Sequence, residues 1–404
     1  MPSIPRVVLA LALTALAVKL WLAATTFGTN DVESFLRFLR EYQEAGAVHL
    51  YETDRYFTHP PFVLRFLQAV GAVADGTALS WPFCLRVPAI LADFGIVLLL
   101  ARLLPGANRT ALGLVAVAPA SIFVSGFHGN TDSVMLFFLL LSLVWIERED
   151  RLLLAGAALG MALNVKVVPL LFAPAIFLWL ATGPRRLRYF GAALAVVLLG
   201  SLPVLFEAPA LVLGKVLGYR SAYGVWGLAH LAKSSPALPE FSAAFKAGGR
   251  WVLAAGLVLL SCWMNRRSPR PALYRQIGVL LFAFLAFTSG FSVQYLVWLV
   301  PWLVLVPLSA AALHLALSGA FLGLVYTFWA QEHASAPRND DFLDPEFWRR
   351  GLPWHTAYAD RSPWWRGSIT PFEVATWLSV VLLFALALRG LRAARIGRGC
   401  ASSS

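Results

Sequence analysis

The sequence predicts an all-α, polytopic transmembrane protein. Three observations carry that prediction. The 404-residue chain is 59% hydrophobic and only 13% charged, with a mean hydropathy of +0.70, whereas soluble domains carry roughly 25% charged residues. Apolar runs recur along almost its whole length, separated by short polar breaks. Those runs lack the alternation over roughly ten residues that marks a membrane barrel strand.

The spans are placed by reading apolar runs against helix breakers. They fall near 5–27, 84–104, 109–126, 133–147, 152–165, 167–182, 188–206, 249–264, 275–290, 293–308, 310–330 and 372–391. Several are shorter than the roughly 20 residues of a straight crossing, so broken or tilted helices are expected. The stretch 61–74 is short, contains Arg65, and is fenced by His59-Pro60-Pro61 and Asp75-Gly76. Reading it as an amphipathic interfacial helix rather than a span leaves about twelve crossings in a single transmembrane domain over 1–404.

Charge fixes the expected orientation. The net charge of +12 comes from arginine clusters between apolar runs, at Arg185–Arg188, Arg266–Arg270 and Arg389–Arg398. With 61–74 in the interface, all of these fall on one side together with Arg102, Arg109, Arg148 and Arg151, as the positive-inside rule requires. Clusters so placed argue against a nucleic-acid partner. Both termini are then cytoplasmic, and loops near 28–80, 207–248 and 331–371 face outward, as do the turns at 128–133, 164–166 and 288–295. The three cysteines imply no disulfide framework. No Walker loop, GxGxxG, HExxH or CxxC occurs, so no nucleotide or zinc motif is visible.

Polar side chains gather at the outward positions. In FGTNDVESF, two carboxylates come directly after the first span. Asn30 is a plausible N-cap for a helix from Asp31 to about Gly46, which would put Asp31 and Glu33 in its first turn, where backbone amides favour negative charge. They are either plain helix-start residues or an acidic site at the water's edge. A carboxylate there is expected to be partly desolvated, with its pKa raised. His59 is a proton handler or a hydrogen-bonding anchor. HGNTDS leaves His128, Asn130 and Asp132 between apolar runs, where polar groups are costly unless they line a wet cavity. Lys166 of NVKVVP is a snorkelling anchor or a cation for a lipid-linked phosphate. Arg220 and Tyr223 lie in a glycine-punctuated loop, and Gln294 and Tyr295 open a span.

Taken in order, Asp31-Val32-Glu33, RYFTHPPF, HGNTDS, NVKVVP and SVQYLVWLVP resemble the GT-C membrane glycosyltransferases. The likeness, over roughly residues 1–310, is greatest to the catalytic subunit of GPI mannosyltransferase I and its prokaryotic relatives, and weaker to the dolichyl-phosphate-glucose glucosyltransferases. The resemblance implies inverting transfer of a hexose such as mannose from a polyprenyl-phosphate carrier to a glycan or lipid-linked acceptor. It places this at the outer or lumenal face, with Asp31 as general base and Lys166 and Arg220 as cations for the donor phosphate, while the Ala- and Arg-rich composition with few lysines fits a prokaryotic plasma (inner) membrane. The family often shows D-x-D where this chain has D-x-E. That departure leaves open the role of Glu33, and with it a divalent metal, Mg or Mn, at the pair. The rival reading is a multispan transporter or flippase for lipid-linked sugars. Such a protein should show paired repeats, and none is apparent.

Overall fold

The computed structural model describes residues 4–104, 106–267, 270–335 and 363–399. It is helical nearly throughout. In chain order the first helices are α1 (Arg6–Thr25), α2 (Asn30–Thr53), α3 (Phe62–Gly76), α4 (Trp81–Leu103), α5 (Arg109–Ala116) and α6 (Pro119–Phe123). A π-helical turn, Val124–His128, continues α6. Next come α7 (Asp132–Glu147), α8 (Leu152–Val165), a 3-10 turn at Val168–Phe172, α9 (Ala173–Trp179), α10 (Gly183–Glu207), α11 (Pro209–Gly218), α12 (Gly227–Ser234), α13 (Pro239–Asn265) and α14 (Leu273–Phe287). A long 3-10 helix, Val293–Leu305, precedes α15 (Leu308–Ser335) and α16 (Pro363–Gly399).

Each predicted span falls on one of these helices or on a run of them. Seven helical stretches among the described residues are long and apolar enough to cross a bilayer: α1, α4, Arg109–His128, α10, α13, Leu308–Phe328 and Ile369–Leu391. The other predicted spans are shorter. Two of them are broken as expected, since Pro169 and Pro301 sit in 3-10 segments where an α-helix would need their missing amides. The stretch expected in the interface is α3, which buries Val63, Leu64, Leu67 and Val70 on one side and exposes Arg65 on the other.

The first loop differs from expectation in two details. The helix cap is Thr29 rather than Asn30, because the Thr29 hydroxyl accepts from the Asp31 amide at 3.3 Å. The helix also runs past Gly46 to Thr53, with a break at Gly46, whose φ of 87° suits glycine alone.

Two buried cations organise the core. The Lys19 ammonium of α1 donates to Asp93 of α4 at 2.9 Å and to Ser121 of α6 at 2.6 Å. Ser121 and Ser125 also donate to the same Asp93 oxygen, at 2.7 and 2.5 Å. Such a pair is retained in an apolar interior only when its remaining hydrogen bonds are met. Arg86, in the second turn of α4, is wholly buried. It donates to carbonyls of Ala23 and Thr26 at the end of α1 (3.1 and 2.5 Å), and to Gly126 and Phe127 of the π turn (3.1 and 3.2 Å). Helix C-termini leave carbonyls unpaired and carry partial negative charge. One guanidinium thus answers two helix ends and holds them side by side.

A minimal antiparallel pairing, Ala222–Tyr223 with Gly290–Phe291, joins the loop after α11 to the stretch after α14. Trp226 stacks on Phe291 at 4.1 Å beside it. The stretch expected to form the last outer loop, 331–371, lies for the most part outside the described residues.

Candidate active site

The π turn ends on Gly129, which adopts a left-handed conformation (φ 81°) that a side chain disfavours. A Cβ there would stand 2.4 Å from Val32 Cγ2, so the turn and the start of α2 are in close contact. Thr29 donates to the His128 carbonyl at 2.8 Å and locks the two segments together.

Asp31 is the outcome of that arrangement. Its Oδ2 accepts from His128 Nε2 at 2.9 Å and from Asn130 Nδ2 at 2.7 Å. About 30% of its side chain remains accessible, on the side facing a large cavity. Burial pushes the carboxyl up, but the charge and hydrogen bond of His128, the Lys166 ammonium and the Asn130 amide together outweigh it. The group is therefore held below its ordinary value of 3.8. This corrects the sequence expectation of a raised pKa, because that reading counted desolvation without the donors the fold supplies.

The Asp132 carboxylate is fully buried. It accepts from Lys166 Nζ at 2.7 Å and from Trp298 Nε1 at 2.6 Å. Lys166 is thus pinned at the cavity wall by a counter-ion from α7. It is not a snorkelling anchor, and its side chain keeps about 14% of its surface exposed. His59 lines the same cavity, in van der Waals range of the rings of Phe35, Phe38 and Phe57. Burial, reinforced by Lys166 and opposed by Asp31, lowers its pKa from 6.5 to about 4. It is neutral at pH 7.

The cavity measures about 1040 Å³. Of the predicted residues, Asp31, His59, Asn130, Lys166, Arg220, Tyr223, Gln294 and Tyr295 line it. Tyr295 stacks on Trp298 at 4.0 Å and hydrogen-bonds Ser221, while Ser292 donates to Gln294. Apolar side chains of the Val168–Phe172 turn, α11 and α13 complete the wall, including Leu170, Val216 and Leu253. Aliphatic surface therefore adjoins polar surface in one space.

Three predicted residues are not part of that wall. Glu33 is two positions from Asp31, which on an α-helix rotates it by about 200°, and it is buried away from the cavity. His128 and Asp132 are buried behind the wall and orient Asp31 and Lys166 respectively. Neither lines the cavity itself. The described residues do not assemble a divalent-metal site: Asp31 is the one carboxylate among them lining the cavity, its Oδ2 already accepts two hydrogen bonds, and no group of three His, Cys, Asp or Glu converges among them.

The sequence reading missed Thr29 and Arg86, and the further cations Lys233, Lys246 and Arg250 of the cavity wall. For the last two a signal existed. Lys246 and Arg250 are four apart at the start of a predicted span, hence on one helix face.

Comparison with known proteins agrees with this architecture. The profile of the family described as dolichyl-phosphate-mannose-protein mannosyltransferase matches residues 58–206. The crystal structure of ArnT from Cupriavidus metallidurans bound to undecaprenyl phosphate superposes with a TM-score of 0.50 at 16% identity, over 94% of this chain and 76% of that one. ArnT in the apo state gives 0.49 at 17% identity with the same coverage. No curated protein matches the chain by sequence. Fold and profile together define the class, a multi-pass membrane glycosyltransferase of GT-C architecture.

Proposed function

We propose that the chain transfers a hexose, with mannose the first candidate, from a polyprenyl-phosphate carrier to a glycan or lipid-linked acceptor, with inversion. The observation that carries this is the placement of one ionised carboxylate, Asp31, in a cation-lined cavity that also has an aliphatic wall. Undecaprenyl phosphate bound to ArnT supports a lipid carrier, and the name of the matching family supports mannose. The arginine pattern supports an outward-facing site in a plasma membrane.

The chemistry rests on the residues. The acceptor hydroxyl hydrogen-bonds the open side of Asp31 and attacks the anomeric carbon as the carbon–oxygen bond to the carrier phosphate breaks. Asp31 is a weak base, so proton transfer is favourable only late, once the new bond has made the hydroxyl acidic. The leaving phosphate is met by Lys166, held in place by Asp132, and by Arg220 of the cavity wall as its charge grows. With Asp31 serving as base rather than as nucleophile, the acceptor displaces the carrier phosphate in one step, which inverts the configuration.

The test is transfer of radiolabel from polyprenyl-phosphate-mannose to lipid and glycan extract, comparing wild type with Asp31→Asn. Transfer by wild type alone supports the reading. Equal transfer by both moves the base elsewhere. No transfer from mannose-, glucose- or arabinose-linked donors rejects it.

A further inference from the structure

The donor phosphate does not account for the cations around the cavity. A sugar phosphodiester carries one negative charge, while six cationic side chains and one carboxylate line the space. Arg37 is neutralised by Asp54 at 3.0 Å and Lys166 by Asp132 at 2.7 Å. Arg220, Lys233, Lys246 and Arg250 form no ion pair among the described residues. Three of these four stand together on the wall made by α12 and α13.

That wall is organised. Lys246 and Arg250 project from one face of α13, where like charges repel unless an anion lies between them. The Lys246 ammonium sits 5.9 Å from the centre of the Tyr223 ring, and Tyr223 is fixed by donating to the Ser242 carbonyl at 2.7 Å. Arg250 Nε is buried, with no hydrogen-bond partner among the described residues. A second recess of about 740 Å³ opens beside the main cavity, shares Tyr223, Lys233 and Lys246 with it, and adds the hydroxyl-bearing Ser234, Ser235 and Ser242. The positive-inside rule does not explain these cations, since Arg266 and Arg267 already mark the opposite end of α13.

We infer that this wall is a second anion subsite, and that the acceptor carries a carboxylate or phosphate group which Lys233, Lys246 and Arg250 receive. The inference rests on the transferase reading and names the acceptor class for the same site. The donor is held at the Lys166 side, whose field reaches Asp31 and His59. The acceptor enters from the side of the recess.

The experiment uses the full chain in phosphatidylcholine nanodiscs saturated with a short polyprenyl phosphate. Affinities for hexyl glucuronide and hexyl glucoside, which differ in one carboxylate, are measured by calorimetry. The wild type should prefer the glucuronide by about tenfold, the difference one charge-assisted hydrogen bond supplies. Arg250→Gln and, separately, Lys246→Gln should bring the ratio close to one while unfolding near the wild-type temperature. Equal affinity in the wild type, or an undiminished preference in both folded variants, overturns the inference. So does loss of the preference in phosphatidylglycerol nanodiscs, which would assign the wall to bilayer headgroups. Failure of the wild type to bind polyprenyl phosphate at all would instead reject the transferase reading beneath it.

Discussion

His128 and Asp31, 97 positions apart in the chain, are joined by a hydrogen bond of 2.9 Å from Nε2 to Oδ2. The imidazole both aims the carboxylate and lowers its proton affinity. Replacing His128 by Ala removes the largest lowering influence while burial persists, so the Asp31 pKa should rise. The acid limb of the pH–rate profile, below 3.8 in wild type, should then move upward. Turnover at pH 7 should fall about ten- to a hundredfold from lost alignment. A profile whose acid limb stays in place would show that His128 does not set the base.

His59 makes a stability prediction with a defined sign. Its folded pKa, about 4, lies below the ordinary 6.5. Between those values the unfolded chain binds a proton that the folded chain refuses, so stability falls as pH drops from about 6.5 to 4 and levels off below. His59→Phe should flatten this part of the curve of unfolding temperature against pH. An unchanged slope would mean that the imidazole is solvated.

The Lys166–Asp132 pair serves both folding and catalysis. Asp132→Ala leaves an uncompensated ammonium beside an unmet indole donor, and should cost about 3–5 kcal/mol of stability. Lys166→Met strands the buried Asp132 carboxylate in turn and should also lower stability. Because Lys166 meets charge that grows on the leaving phosphate, the same change should lower kcat as well as weaken carrier binding. Denaturant titration of both variants and steady-state kinetics of the second check the two roles.

Arg86→Lys retains the charge but offers three donors on a flexible stem in place of a planar five-donor fork. At least one of the carbonyls of Ala23, Thr26, Gly126 and Phe127 loses its partner, each costing about 1–3 kcal/mol. The expected outcome is a lower unfolding temperature. If Arg86→Lys matched wild type, the clamp would be dispensable.

What the sequence revealed depended on whether the signal was local. Hydropathy placed the spans because each is a continuous run, and Asp31 stood out because it comes directly after one. Arg86 did not, since WPFCLRVPAIL reads as a span with one blemish. The carbonyls that justify the arginine come from segments about 40 and 60 residues away along the chain. The split between Asn130, which lines the cavity, and His128 and Asp132, which do not, depends on the π turn and the left-handed Gly129. Motif spacing carries no trace of that. Glu33 is the opposite case, because helical periodicity alone separates it from Asp31.

The pair formed by Lys19 and Asp93 has a consequence for how the protein is made. The first span emerges from the ribosome bearing an ammonium whose acceptor is synthesised 74 residues later. A lone charge within a span opposes insertion by up to about 2.5–3.5 kcal/mol. Until α4 and the serines of the next span arrive, α1 carries that cost without its partners, so a Lys19→Leu variant should integrate its first helix more readily than the wild type.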